Sequence, residues 1–249
     1  MNIKTDSYYV IGRSHNYCQD YAYAYSNKIC LSDGCSLTSK DGICTPHKTS
    51  DIAARLLCRM DINLLHPSIL HLSDISLDAT YLECSHEKDN TVKLTIIGDG
   101  VIYIKTDVEE KIIIRSYNPN TPLYMSYVYD ENGRDMYEKF KPILTERVIN
   151  LTTGEDTSNQ IENSPYYGKN VQILENIKTI SLFSDGVTDI YGIDVKEAVI
   201  ALVSFKRTNN QFVMARMKAQ LREWNSRDIY PNDDLSMATM IIEEYLCHI

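Results

Sequence analysis

Two aspartates follow mainly apolar runs of the sequence after a single serine, and each directly precedes a glycine. Asp33 follows the run 29–31, and Asp185 follows the run 180–183. Apolar runs of this length, bounded by polar residues, predict β-strands, so each carboxylate would be held at the end of a strand. The adjacent glycine would let a cation or a substrate approach the backbone closely. Asp-Gly is also a common turn dipeptide, so each motif alone is equally compatible with a simple turn.

Three further aspartates occupy comparable positions. Asp99 lies between two glycines, where the sequence predicts the tip of a β-hairpin. Asp20 ends a polar loop before an alternating run of tyrosines, and Asp233 precedes the last predicted strand. Carboxylates are the ligands that hard divalent cations prefer. If the fold brings these strand ends together, the aspartates would form a carboxylate metal cluster; if it does not, they are turn residues.

The elements that would position these aspartates come in blocks of strands and blocks of helices. Such blocks, rather than strict alternation, predict an α+β fold with an antiparallel sheet core and helices packed outside it. Residues 118–170 are the least regular part of the chain and contain the polar tract 154–168, which predicts a mobile flap. The predicted strands are 8–13, 21–25, 29–32, 92–97, 101–105, 111–117, 171–174, 179–184 and 235–242, and the predicted helices are 50–65, 195–205 and 211–224.

The composition narrows the possible partners. The chain has 249 residues and a formal net charge of −9, which disfavours nucleic acid and anionic membranes, since both require a basic face. No run of the sequence approaches the roughly 20 apolar residues of a membrane span. We therefore expect no nucleic-acid and no membrane partner.

The cysteines indicate a reducing, cytoplasmic environment. There are seven of them, an odd number, without a CxxC motif and without an N-terminal apolar stretch that would resemble a signal peptide. Cys35, Cys44 and His47 could form part of a zinc site, but their spacing fits no common template and a fourth ligand is missing.

Five stretches of the sequence together resemble a known family. In chain order they are SHNYCQDYAYA, ICLSDGCS, LTIIGDGVIYI, LFSDGVTDIYG and NDDLSMATM. Their order and spacing, from about residue 8 to 242, resemble the motif series of the metal-dependent protein phosphatase 2C family, in its bacterial type. The resemblance implies one domain over residues 1–249 with a flap-like segment at about 118–170. It also implies a four-layer α-β-β-α sandwich of two antiparallel sheets flanked by helices.

The resemblance also implies a set of metal ligands. Asp33 would bridge two divalent cations, Mg²⁺ or Mn²⁺, with the carbonyl of Gly34 as a further ligand. Asp185 and Asp233 would complete the protein ligands of the first cation. Asp20 would act close by, directly or through a water.

Two more aspartates match the family's positions for a third cation. They are Asp99 and Asp189, the second of which follows Asp185 by four residues as the family pattern requires. Asp189 could instead cap a helix or a turn. Asp234 stands where the family often has asparagine, and it could tune Asp233 rather than bind metal.

By the same resemblance, the protein would be a monomeric phosphoserine/phosphothreonine phosphatase that acts on phosphorylated proteins. A metal-bridging hydroxide would attack phosphorus directly. Two positions depart from the family pattern. His15 stands where many members have an arginine that grips the substrate phosphate, and either His15 or Arg13 could take that role, unless His15 is an ordinary surface histidine. Cys35 and Ser36 replace the glycine pair of bacterial members, and Cys35 also replaces a histidine that acts as general acid in eukaryotic members.

Two other functions remain open. One is a weakly active or inactive homologue that binds a phosphoprotein as a sensor module. Such a module would be expected to lose ligands of the cations, whereas all four of the aspartates that would hold them are present, which favours the enzyme. The other is a hydrolase of small phosphate esters or nucleotides, although the sequence has no P-loop.

Overall fold

The computed structural model of the chain describes residues 1–38, 44–47, 49–60, 76–118, 120–129, 131–162 and 170–243. Its strands are, in chain order, β1 Asn2–Val10, β2 Tyr21–Tyr25, β3 Lys28–Ser32, β4 Ser36–Thr38, β5 Cys44–Pro46, β6 Tyr81–Lys88, β7 Thr91–Ile97, β8 Gly100–Lys105, β9 Glu110–Asn118, β10 Ile143–Asn150, β11 Asp156–Glu162, β12 Asn170–Leu174, β13 Thr179–Phe183, β14 Ile190–Tyr191, β15 Tyr230–Pro231 and β16 Leu235–Glu243. Its helices are α1 Ser50–Arg59, α2 Met125–Tyr129, α3 Glu131–Phe140, α4 Val195–Val203 and α5 Phe212–Asn225, with a 3-10 turn at Asp185–Val187.

Two antiparallel sheets form the centre of the molecule. The seven-stranded sheet has the order β1-β16-β13-β8-β9-β10-β11, and the five-stranded sheet has the order β12-β7-β6-β3-β2. Alternating side chains of each strand point to opposite faces. Leu31 of β3 therefore packs in one buried cluster with Ile102 and Leu182 of the other sheet, whereas Cys30 and Val101 belong to the clusters on the outer faces.

Helices cover both outer faces. On the seven-stranded sheet, Val199 of α4 and Met217 of α5 belong to the same buried cluster as Phe183 of β13. On the five-stranded sheet, Leu57 of α1 is clustered with Tyr81 of β6. The four layers α-β-β-α and the two antiparallel sheets confirm the predicted architecture. In the described residues, no helix is long and apolar enough to span a bilayer.

The sandwich brings the aspartate-bearing strand ends to the same side. Phe183, the last residue of β13, pairs with Val101 of β8 on one side and with Met237 of β16 on the other. In the second sheet β3 pairs with β6, and the first residue of β6, Tyr81, pairs with the last residue of β7. The end of β3, the turn between β7 and β8, the end of β13 and the start of β16 thus meet at one end of the sandwich.

The turn at Asp99 differs from the predicted hairpin. β7 lies in the five-stranded sheet and β8 in the seven-stranded sheet, so residues 98–99 carry the chain from one sheet to the other. Gly98 and Gly100 have φ angles of 97° and 130°, which glycine adopts without a steric penalty. The sequence Gly-Asp-Gly is compatible both with a hairpin within one sheet and with a connection between two sheets, so the pattern alone could not distinguish them.

The segment 118–170 is more regular than predicted. It contains α2, α3, β10 and β11, and β10 pairs with β9 along its whole length. β10 and β11 extend the large sheet at its edge, where most of their side chains are exposed or half-buried. They therefore lack the apolar alternation by which strands are predicted. Residues 163–169, the rest of the polar tract, lie outside the described residues.

Other boundaries also differ from the prediction. β6 was not predicted, although Tyr81, Leu82 and Cys84 are buried, because its second half is polar. β1 covers Asn2–Val10 rather than 8–13, and its polar residues are tolerated at the edge of the sheet. Residues 61–65 of the predicted first helix lie outside the described residues.

The inter-sheet core should respond to truncation far more than the surface. We expect Leu182→Ala, which opens a cavity at a fully buried position, to lower the free energy of unfolding by about 2–5 kcal/mol. Val108 is 83% exposed, so Val108→Ala should change it by less than about 0.5 kcal/mol. Chemical denaturation of both variants measures the difference. Equal effects would contradict the assignment of Leu182 to the core.

Candidate metal centre

Three aspartate side chains interact with one another at this end of the sandwich. Asp33, one residue after β3, interacts with the side chains of both Asp20 and Asp185. The charge of Asp233 acts on all three. Asp33 therefore meets residues that lie 13 to 200 positions from it in the sequence.

Burial and mutual repulsion raise the pKa values of these groups. Burial raises the pKa of Asp33 well above its usual range, and the charges of Asp20 and Asp185 raise it further. Burial, followed by the charge of Asp234, does the same to the pKa of Asp20. For Asp185, burial and the charge of Asp233 raise the pKa to about 6. A buried like-charge cluster of this kind keeps protons unless cations replace them.

His15 holds the neighbouring pair of aspartates. Its Nε2 lies 3.0 Å from Asp233 Oδ1, and its Nδ1 lies 3.0 Å from Asp234 Oδ2. Burial opposes a charge on the ring, but the contacts with the two carboxylates outweigh it and raise the pKa of His15 to about 10. The side chain is 3% exposed, so His15 is not a surface histidine. Because both ring nitrogens are occupied by carboxylates, neither is presented to a substrate phosphate.

Asp234 anchors the loop that carries Asp20. Its carboxylate accepts hydrogen bonds from the backbone N–H groups of Gly12, at 2.8 Å, and of Gln19, at 2.6 Å, in addition to the His15 contact. The close approach needs glycine at position 186, since a Cβ there would lie 1.9 Å from the carbonyl oxygen of Asp234. With these contacts, Asp234 holds the Asp20 loop and His15 in position. The side chain of the neighbouring Asp233 is 38% exposed.

Asp99 and Asp189, the two residues expected to hold a third cation, differ in their burial and in their contacts. Asp99 is buried beside Asp185, and burial raises its pKa well above the usual range, with the charge of Asp185 adding to it and that of Arg115 opposing it. Asp189 is exposed, and its Oδ1 accepts a hydrogen bond of 3.0 Å from the Asn232 side chain. It thereby ties the turn after β13 to the loop that precedes Asp233.

Arg13 lies away from the carboxyl cluster. It is exposed, and its guanidinium stacks on the ring of Tyr230 with 3.3 Å between its Cζ and the ring centroid. Arg13 lines a cavity with Tyr230 and Leu221, separate from the one that Asp99 and Asp185 line. The chain at residues 11–13 has already left β1, which ends at Val10, so Arg13 is not held on a strand.

Cys35 and His47, which the sequence offered as partial zinc ligands, lie in surroundings of a different kind. Burial raises the pKa of the Cys35 thiol, which makes it a poor acid at neutral pH. Nδ1 of His47 lies 3.2 Å from Asp78 Oδ2. The side chain of Cys44 lies outside the described residues.

The site includes one residue that the sequence analysis did not single out. Arg115 lines a cavity of about 530 Å³ together with Asp99, Asp185 and Arg147. The available signal was a charged residue directly after the apolar run Ile112–Ile114, in the interior of the predicted strand 111–117.

The donor set is suited to divalent cations. As they stand, no three His, Cys, Asp or Glu side chains in the described part of the chain surround one point closely enough to hold an ion. However, Asp20 Oδ2 is buried without a hydrogen-bond partner among the described residues, and the side chain of Asp33 interacts with those of both Asp20 and Asp185. Oxygen ligands of this kind favour Mg²⁺ or Mn²⁺. A cation held by these residues would offset their mutual repulsion and give the unpartnered oxygen a partner.

The fold resembles those of solved serine/threonine phosphatases. The phosphatase PstP/Ppp of Mycobacterium tuberculosis matches with a TM-score of 0.52 and 14% identity over 97% of this chain and 99% of that one. The PstP catalytic domain in complex with two manganese ions matches with a TM-score of 0.51 and 14% identity over the same shares. The PP2C phosphatase domain of SpoIIE from Bacillus subtilis, with a fragment of its regulatory domain, gives 0.53 and 12% over 98% of this chain and 63% of that one.

No protein-family model and no curated protein matches the chain. The fold is thus that of the PP2C-type phosphatases, as the sequence motifs predicted, while the sequence itself has diverged far from those of the solved structures.

The carboxyl cluster makes a prediction about stability and pH. In metal-free protein, the free energy of unfolding should fall as the pH rises from about 4 to 7.5. The reason is that the folded-state pKa values exceed the unfolded value of 3.8, so the folded protein binds more protons over this range. Asp33→Asn removes one charge at nearly constant size. We expect it to stabilise metal-free protein at pH 7.5 by on the order of 1–3 kcal/mol.

Thermal melts in chelator at pH 5 and 7.5 test this expectation. Asp89→Asn, in the exposed turn between β6 and β7, is the matched control and should leave the melting temperature unchanged. Added Mn²⁺ should stabilise the wild type at pH 7.5 but not Asp33→Asn. A wild-type protein that melts higher at pH 7.5 than at pH 5 in chelator would show that the cluster is not strained.

Proposed function

We propose that this protein is a divalent-metal-dependent phosphatase of phosphoserine and phosphothreonine in proteins. The observation that carries the proposal is the group Asp20, Asp33 and Asp185, whose carboxyls interact at one end of a PP2C-type sandwich and whose pKa values are all raised, first by burial. Accumulating like charge in a buried place costs stability, so its retention argues for a role in binding cations. The solved PstP domain with two manganese ions has the same fold, which supports this interpretation.

Each residue would have a distinct task. Asp33, in the centre, would contact both cations, while Asp185 and Asp233 would complete the ligands of one, with Asp20 and the Gly34 carbonyl beside them. Asp99 and Asp189 would be available to a third. When bound, such a pair of cations supplies an activated water and neutralises charge on the phosphoryl group. His15 and Asp234 would keep Asp233 and the loop of Asp20 in position.

Replacing the central ligands should abolish turnover. We expect the wild type to hydrolyse p-nitrophenyl phosphate and a phosphothreonine peptide only with Mn²⁺ or Mg²⁺ present. Asp33→Asn and Asp185→Asn should each lower kcat by at least about 100-fold, because each removes a charge from the centre while keeping its shape. Steady-state kinetics with and without chelator measure this.

Asp89→Asn serves as the control for these two variants, since it changes the same charge at an exposed position. Undiminished turnover after complete removal of metal would reject a metal-dependent mechanism. Turnover of the phosphopeptide no faster than that of p-nitrophenyl phosphate would favour small phosphate esters as the substrate.

A second candidate function is the weakly active homologue that binds a phosphoprotein as a sensor. The specific observation in its favour is that the positively charged ring of His15 already contacts Oδ1 of Asp233. In that case His15 would compete with a cation for this ligand.

His15→Ala distinguishes the two functions. If His15 positions Asp233 and the Asp20 loop for catalysis, the variant should lose roughly 10-fold or more in kcat and require more Mn²⁺. If His15 blocks the metal site, the same variant should gain activity and bind Mn²⁺ more tightly. Parallel Mn²⁺ titrations, by activity and by calorimetry, separate the two results.

A further inference from the structure

Arg115 occupies an unusual position for a charged residue. It lies in the middle of β9, pairing with Gly100 of β8 on one side and with Glu146 of β10 on the other. Its side chain is only 3% exposed. Gly100 directly follows Asp99, and the charge of Arg115 acts on that aspartate and lowers its pKa.

Two of the donors of Arg115 have no partner. Nε and Nη1 are buried and make no hydrogen bond in the described part of the chain. The carboxylate of Glu146 lies 3.7 Å from Nη1, beyond hydrogen-bond distance. Buried arginines are normally paired and fully hydrogen-bonded, and an unsatisfied buried donor is costly. Arg115 has Glu146 and Asp99 as charged neighbours and interacts with the hydroxyl of Tyr117, but Nε and Nη1 remain unsatisfied, which indicates capacity for a further anion.

The cavity that Arg115 lines shows where that anion would lie. Asp99 and Asp185 form part of its wall, so the guanidinium is close to the proposed cation ligands. A phosphate monoester bound across such a site would contact the cations on one side and require donors on the other. The planar fork of arginine matches two phosphate oxygens.

We propose that Arg115 is the residue that binds the substrate phosphate, in place of an arginine at position 15. This inference rests on the proposed function, and it deepens that function by assigning the phosphoryl-binding group. His15 is committed to two carboxylates and Arg13 to the ring of Tyr230, which leaves both unsuited to the task. Arg115 is buried, has free donors and lines the cavity beside Asp99 and Asp185.

Arg147 provides a matched comparison. It lines the same cavity, but it is 43% exposed and held by a two-point ion pair with Asp156, at 2.9 and 2.7 Å. Its donors facing Asp156 are satisfied, and an exposed arginine contributes little to the binding of an anion in water. Replacing each arginine by methionine in a separate variant therefore tests the effect of its position, because the chemical change is the same in both.

The experiment measures binding of inorganic phosphate by calorimetry with saturating Mn²⁺, together with kinetics on p-nitrophenyl phosphate. Arg115→Met should weaken phosphate binding and raise KM roughly 10- to 100-fold, as expected for the loss of charge-assisted hydrogen bonds. Arg115→Lys keeps the charge but loses the fork, and it should give an intermediate loss. Arg147→Met should stay within about 3-fold of the wild type.

Several outcomes would overturn the proposal. One is a folded Arg115→Met variant that binds phosphate as tightly as the wild type. Another is a variant that loses Mn²⁺ affinity while it keeps phosphate affinity, because Arg115 would then be only a counter-ion for Asp99. If Arg115→Met does not fold, Arg115→Lys decides, and its phosphate affinity must fall. Failure of the proposed function would be recognised differently: the wild type itself would show no metal-dependent turnover, whatever its affinity for phosphate.

Discussion

Buried carboxylates repel one another, and this repulsion is the constraint on which the rest of the structure depends. Burial and the charges of neighbouring aspartates raise the pKa values of Asp20, Asp33 and Asp185. Among the described residues, His15 lies beside Asp233 and Asp234, and Arg115 beside Asp99, at the margins of the cluster. In the centre, the charges of Asp20, Asp185 and Asp233 act on Asp33, and their repulsion raises its pKa. A pair of divalent cations would remove the repulsion there and leave the two marginal cations to other tasks.

The sandwich supplies the force that holds these charges together. Each aspartate is attached to a strand whose interior residues are buried between the sheets or under the helices, so its backbone cannot retreat from its neighbours. The backbones also approach one another closely, as the carbonyl of Asp234 does at Gly186. The stability of the apolar core thus offsets the electrostatic cost of the site. The chain has this fold in common with the solved phosphatases at 12–14% sequence identity.

The sequence predicted the fold class and the participants of the site better than it predicted their contacts. Apolar runs that end in Asp-Gly carry strong local information, so β3, β13 and the aspartates after them were found from the sequence. β6 and β10 were not, because strands with polar or half-buried side chains lose the alternation. The pairing of His15 with Asp233 and Asp234 depends on residues more than 200 positions away, and no local pattern reports it.

The departure at position 15 has a consequence for the whole site. A histidine that bridges two carboxylates gains a charge and fixes the loop of Asp20, but it then cannot also face a phosphate. Phosphate recognition must come from elsewhere if the protein is a phosphatase. The strand register offers an alternative, since Arg115 pairs with Gly100 and its charge acts on the adjacent Asp99. The histidine at position 15 and the arginine on β9 therefore act on different carboxylates, His15 on Asp233 and Asp234 and Arg115 on Asp99, so that one can position the ligands while the other is left for the phosphate.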